Sequence, residues 1–264
     1  GIDYCLDLHA GANLISFYGL PEDASLTNMM SSLEGIATGV IGEGVASNYN
    51  ENLGWIGSIN TVSAKSGYWV IVTDICSLCI DDAILSDPAI VFNLHSGANL
   101  ISFPAEGSIE IVPALSNVID GTVSGIISEG VASNYNESLG WIGSISTFNG
   151  GKGYWMIATE PISFSFDVST MSRVKSDGVV GLSVPEGEDI YQSTRQAFYF
   201  VEDIVLNGES IQDGDWVMAY NGNVLVGARE WNGAYTDIPV MGYDNHIETA
   251  GYLENGETPT FKVI

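Results

Sequence analysis

The stretch Leu8-His9-Ala10-Gly11-Ala12-Asn13-Leu14-Ile15-Ser16-Phe17 returns as Leu94-His95-Ser96-Gly97-Ala98-Asn99-Leu100-Ile101-Ser102-Phe103, an offset of 86 residues. The same offset carries Glu43 to Glu51 onto Glu129 to Glu137, Gly54 to Ile59 onto Gly140 to Ile145, and Gly67-Tyr68-Trp69 onto Gly153-Tyr154-Trp155. Self-similarity at a fixed period marks a tandem array. The reading places repeat module one at 1–80, a connector at 81–90, module two at 91–160 and a different region at 161–264.

Inside a copy, Leu14, Ile15 and Phe17 read as a buried strand. Leu26, Met29, Met30 and Leu33 then fall on one helical face, with Asp23 or Ser25 as N-cap and Gly35 as the stop. Ile111, Val112, Leu115, Val118 and Ile119 repeat that face before Gly121. Short strands follow around 38–41, 45–49, 55–59 and 67–72. The expected fold is an α+β tandem repeat, one helix on a small, mostly antiparallel sheet, twice. An all-β sandwich follows it, with strands expected at 196–206, 216–220, 224–228, 247–252 and 260–263 and a tight hairpin at Asn221-Gly222.

Composition narrows the function. Seven Lys and Arg stand against 33 Asp and Glu, a net charge of −26, while hydrophobic residues make up 45% and mean hydropathy is +0.19. Such a chain folds, and it repels phosphate backbones and anionic lipid. Nucleic-acid binding and membrane insertion are therefore not expected. No charged segment or cleavage site follows Gly1, so the reading expects a mature or excised segment.

Each module resembles a widespread bacterial and archaeal extracellular repeat: a Gly-x-Asn-Leu-Ile-Ser strand, a helix, a Gly-Trp strand and a final Gly-Tyr-Trp strand. Those positions are Gly11 to Phe17, Gly54-Trp55 and Gly67 to Trp69, then Gly97 to Pro104, Gly140-Trp141 and Gly153 to Trp155; the first copy departs with Tyr18 where the second has Pro104. The segments 214–222, 226–229, 237–241 and 259–262 are similar to a β-domain that accompanies such modules in secreted proteins. The resemblance implies a secreted surface protein and carries over no catalytic residue.

Several constellations are candidates for chemistry. His9 and His95, with Glu43 and Glu129, would suit acid-base work or a metal, against a preferred reading in which each His edges its strand. Trp55, Trp69, Trp141 and Trp155 would stack on sugars if exposed together, and otherwise fill small cores. Asp213, Asp215, Asp237, Asp244 and Glu248 offer hard oxygen ligands for calcium, but without EF-hand spacing, and a solvated acidic face is preferred. Cys5, Cys76 and Cys79 suggest a disulfide from Cys5 to Cys76 or Cys79 that clamps module one. Val91 and Ile162, equivalent to Cys5 and Cys76, would then meet as an apolar pair. Neither a nucleophile elbow nor a phosphate-binding loop is present. The leading expectation is a non-enzymatic extracellular structural or adhesive protein that partners copies of itself or other surface proteins. The alternative is a carbohydrate-binding module of a larger secreted protein.

Overall fold

The structure is a computed structural model that describes residues 1–173 and 181–264. Module one contains β1 (Ile2–Leu8), β2 (Gly11–Ser16), β3 (Gly19–Leu20), α1 (Leu26–Met29), β4 (Ala37–Gly42), β5 (Val45–Asn50), β6 (Gly54–Gly57), β7 (Gly67–Val72) and β8 (Cys76–Leu85). Its main sheet runs β2-β7-β4-β5-β6, and a second runs β1-β8-β3. The two sheets and the α1 segment bury Leu6, Leu8, Phe17, Leu26, Met29, Leu33, Val40, Val70 and Leu78 in one core. Half of the expected connector thus lies in β8, a strand of module one.

The chain continues through β9 (Phe92–Leu94), β10 (Gly97–Ser102), β11 (Ser108–Glu110), α2 (Ile111–Ala114), β12 (Val123–Ser128), β13 (Val131–Asn136), β14 (Gly140–Gly143), β15 (Thr147–Asn149), β16 (Gly153–Ala158) and β17 (Ile162–Phe164). Register repeats with composition. Asn13 faces Val70 and Leu14 faces Trp69 in one copy, as Asn99 faces Met156 and Leu100 faces Trp155 in the other. A one-residue slip would have turned each side chain to the opposite face.

The expected helices do not form at the expected length, and the fold is almost entirely β. Among the described residues the α-helices are α1 and α2, four residues each. The apolar face itself is real, since Leu26, Met29, Met30 and Leu33 are all buried. What fails is propagation. Ser25 caps α1 through its Oγ, which accepts from Asn28 N–H at 3.3 Å, but Thr27, Asn28, Ser31 and Ser32 are weak helix formers. A segment this short gains too few bonds to offset nucleation, and it tightens into a 3-10 turn at Ser31–Leu33 before Gly35 exits at φ +77°.

In the second copy the helical turn also slips by one residue. Buried Ile111, Ala114 and Leu115 match Leu26, Met29 and Met30 at an offset of 85, and Gly121 restores 86 with φ +80°. Val112 and Ile119, expected on the buried face, are 70% and 79% exposed.

By its contacts the chain forms two compact units, 1–128 with 146–178, and 129–145 with 179–264. The second holds the β13–β14 hairpin and then β18 (Gln196–Val201), β19 (Val205–Leu206), β20 (Glu209–Ser210), β21 (Trp216–Asn221), β22 (Val224–Glu230), β23 (Thr236–Met241) and β24 (Thr260–Val263). Sheet β22-β21-β24 and the pair β18-β23 bury Met218, Val226, Ala228, Val240 and Met241, a sandwich-like arrangement. Four details differ from expectation. The strand expected at 196–206 breaks at 202–204 into β18 and β19. The hairpin after β21 turns on Gly222 and Asn223, because Asn221 already pairs with Val224. Ile247–Thr249 is a 3-10 turn bracketed by positive φ at Asn245 and Gly251, so no strand forms there. Strand β23 carries Pro239, a residue that argues against a strand when read from sequence.

Candidate functional site

The repeated motif proves to be a set of local locks. Gly11 and Gly97 both take φ +100°, which turns the chain into β2 and β10. The Asn two residues on holds that turn. Asn13 Oδ1 accepts from His9 N–H at 2.9 Å while its Nδ2 donates to the carbonyls of His9 and Gly11. Asn99 repeats this with His95 and Gly97. Further along, Asn50 Oδ1 accepts from Asn52 and Leu53 N–H, as Asn136 does from Ser138 and Leu139. The Tyr68 hydroxyl accepts from Ser63 N–H and the Tyr154 hydroxyl from Asn149 N–H, each at 2.8 Å.

His95 sits at the surface. Its Nδ1 donates to Ser96 carbonyl at 2.8 Å and its Nε2 to Glu43 Oε1 at 2.6 Å, while Glu43 Oε2 accepts from Leu100 N–H at 2.8 Å. Both ring nitrogens face acceptors, so the arrangement favours imidazolium. The Ser96 carbonyl and then Glu43 accordingly raise the His95 pKa above 6.5. His9 Nδ1 contacts Ala10 carbonyl at 2.7 Å, and Glu129 is buried in the second compact unit.

The pair of modules meets through a reciprocal contact. Ser16 N–H donates to Gly151 carbonyl at 2.9 Å, and Ser102 N–H donates to Lys65 carbonyl at 3.1 Å. Ile15 bridges to Lys152 as Ile101 bridges to Ser66. A Cβ on Gly67 would lie 2.8 Å from Leu100 Cδ1 and 2.9 Å from Ile101 O; on Gly153 it would lie 3.0 Å from Leu14 Cδ1 and 2.7 Å from Ile15 O. These main-chain and glycine contacts exchange partners at the 86-residue offset, the signature of an isologous, self-complementary interface, while the serine hydroxyls depart from it, Ser16 Oγ donating to Lys152 carbonyl and Ser102 Oγ to Ala64 carbonyl. Ala12, Leu14, Trp69, Ile71 and Leu100 form its apolar centre, with Ile41 and Trp155 against it.

The four tryptophans therefore do not share one exposed face. Trp69 is 2% exposed, and Trp155 is half-buried at the same contact. Trp55 and Trp141 are half-buried edge-on partners of Tyr49 and Tyr135, with centroids at 5.5 and 5.6 Å.

The five acidic residues are likewise dispersed. Asp215 Oδ2 accepts from Gln212 N–H, Glu248 is exposed in the 3-10 turn, and Asp213 lines a cleft beside Glu230 and Trp231. Burial would raise the Asp244 carboxyl, but hydrogen bonds from Thr194 N–H, the Thr249 hydroxyl and His246 N–H hold it below its ordinary value. Asp237 is fully buried. It accepts from Ala132 N–H at 2.9 Å and from the Ser144 hydroxyl, and lies 3.4 Å from Arg229 Nη2, which also donates to Gly130 carbonyl at 2.6 Å. Burial pushes the Asp237 pKa up against the opposing pull of Arg229 and these bonds. The pair joins β22 and β23 to the β13–β14 segment, a role that sequence spacing did not reveal. Among the described residues no group of three or more His, Cys, Asp and Glu is placed to hold a metal ion.

Cys5 and Cys79 form a disulfide across β1 and β8, and Cys76 is free, its thiol pushed up in pKa by burial and then by Asp74. The expected Val91–Ile162 pair does not form. Ile162 faces Leu94, and Val91 is 49% exposed. Among the described residues no helix is long and apolar enough to cross a membrane. Compared with protein-family models, curated proteins and solved structures, the chain matches none.

Proposed function

We propose that the chain is a non-enzymatic extracellular structural protein that acts by self-assembly or surface display, and that its modules belong with the bacterial and archaeal extracellular repeats they resemble. The reciprocal module contact carries this reading: the module is a unit whose face is complementary to another copy of itself. The repeated polar residues support it from the other side, because Asn13, Asn50, Tyr68 and their counterparts are engaged in holding the backbone. A disulfide suits an oxidising exterior.

Contacts between chains would have to tolerate charge. Residues 1–160 contain Lys65 and Lys152 against seventeen Asp and Glu. Edge strand β6, with Ile56 49% exposed and Leu53 just before it 74% exposed, offers backbone pairing and apolar area instead of salt bridges. Screening length falls from about 10 Å at 0.1 M salt to about 3 Å at 1 M. Light scattering across sodium chloride and calcium series tests the proposal, and association should strengthen along both. Association that is unchanged or reduced by salt, or a monomer throughout, rejects it.

A further inference from the structure

Module one carries a cavity of about 210 Å³ between the α1 segment and the β5–β6 hairpin. Tyr49 and Trp55 form one wall as an edge-to-face pair, both half-buried. Thr27, Ser31 and Glu34 stand exposed around the rim. Gly35 lies on the lining, with nothing within 4 Å of where its Cβ would be.

Unlike Asn13, Asn50 and Tyr68, these polar groups are uncommitted. Among the described residues no hydrogen bond or ion pair engages the Thr27 or Ser31 hydroxyl, the Glu34 carboxylate, the Tyr49 hydroxyl or the Trp55 indole N–H. The module commits its polar side chains to backbone locks elsewhere and leaves a convergent set free at its aromatic hollow.

From this we infer that the hollow binds one neutral hexopyranose residue of a glycan, an activity separate from self-association. The face of an aromatic ring is electron-rich and attracts the C–H groups of a pyranose. An ionised carboxylate accepts from two neighbouring hydroxyls, while Thr, Ser and Tyr hydroxyls both donate and accept. The volume suits a single ring more than an extended chain. A protein at net charge −26 repels uronates and sulfated sugars, and rim hydroxyls that both donate and accept suit the hydroxyls of a neutral ring. Tyr135 and Trp141 repeat the aromatic pair in the second copy.

The test titrates the full chain with methyl glucoside, methyl galactoside and methyl mannoside, with galacturonate as the charged probe, and follows the indole N–H resonances by NMR. At least one neutral glycoside should shift the Trp55 indole resonance saturably, and galacturonate should not. Trp55→Ala should weaken binding at least tenfold. Because Trp55 also packs on the core, Glu34→Gln is the second variant; Glu34 is exposed, so its loss should weaken binding at least threefold with the fold intact. No saturable shift from any neutral glycoside, equal binding of galacturonate, or Glu34→Gln binding as tightly as the parent overturns the inference.

Discussion

Replacing Gly67 by alanine tests the reciprocal contact at its tightest point. Neither Gly67 nor Gly153 has a positive φ, so alanine adds no backbone strain of its own and the cost is steric. At Gly67 the new Cβ lies 2.9 Å from Ile101 O, a backbone atom that cannot swing aside. Ordinary contact begins at 3.4 Å, so the sheets must part by about 0.5 Å there, and by about 0.7 Å for Gly153 against Ile15 O. Overpacking of this kind costs about 1 to 3 kcal/mol. Both substitutions open the same seam. The gap made by one relieves the other, and the double variant should lose less than the sum by about 0.5 kcal/mol or more. Urea unfolding followed by tryptophan emission suits the measurement, because Trp69 and Trp155 lie at the seam. Single variants within 0.5 kcal/mol of the parent, or strictly additive losses, would refute the packing argument.

Three further outcomes are expected. Cys5→Ser combined with Cys79→Ser opens a crosslink between residues 74 apart and should cost about 4 to 5 kcal/mol in the chain-entropy account; thiol titration of denatured, unreduced protein should find one free thiol, and three would be contrary. Asp237→Ala leaves Arg229 buried without its charge partner and should cost about 3 to 5 kcal/mol, whereas Arg229→Met with Asp237→Leu should recover most of the loss in urea unfolding. His95 should titrate above 6.5 by NMR and fall back in Glu43→Gln. Since the folded value is the raised one, its stabilisation is full below 6.5 and fades as pH rises through the folded value, so parent and Glu43→Gln should converge in alkaline urea titrations.

Strand positions within the modules were legible in part: the repeated Gly11 and Gly67 open β2 and β7, whereas β1, β3 and β8 lie outside the strands expected from the pattern. Helix length was not. Periodicity found the buried face in the first copy, where Leu26, Met29, Met30 and Leu33 face the core, but not in the second, where Val112 and Ile119 are exposed, and whether one turn becomes three depends on the residues between. The C-terminal region shows the same division. Asn207 and Gly208 both take positive φ, 56° and 92°, as an Asn-Gly hairpin requires, while Asp237 resembled its acidic neighbours until burial beside Arg229 set it apart.

The candidate surfaces were harder to read for a reason that the two copies themselves expose. At the seam, Leu14, Gly67 and Trp69 recur unchanged as Leu100, Gly153 and Trp155 and contribute through a side chain or the lack of one, while Ile15 and Ile101 recur unchanged but contribute main-chain atoms. Lys65 and Ser66 are replaced by Gly151 and Lys152, yet they contribute as faithfully, because only their backbone atoms take part. Sequence comparison of the copies therefore finds half of the interface and is blind to the half made by main chain. The usable signal was the glycine that opens each Gly-Tyr-Trp strand. A glycine with ordinary φ inside a strand has no turn to make, and close approach of another backbone is the remaining use for its missing side chain. Two such glycines, each set against the carbonyl of the other copy's Ile, let the two main chains approach closely from both sides of the seam.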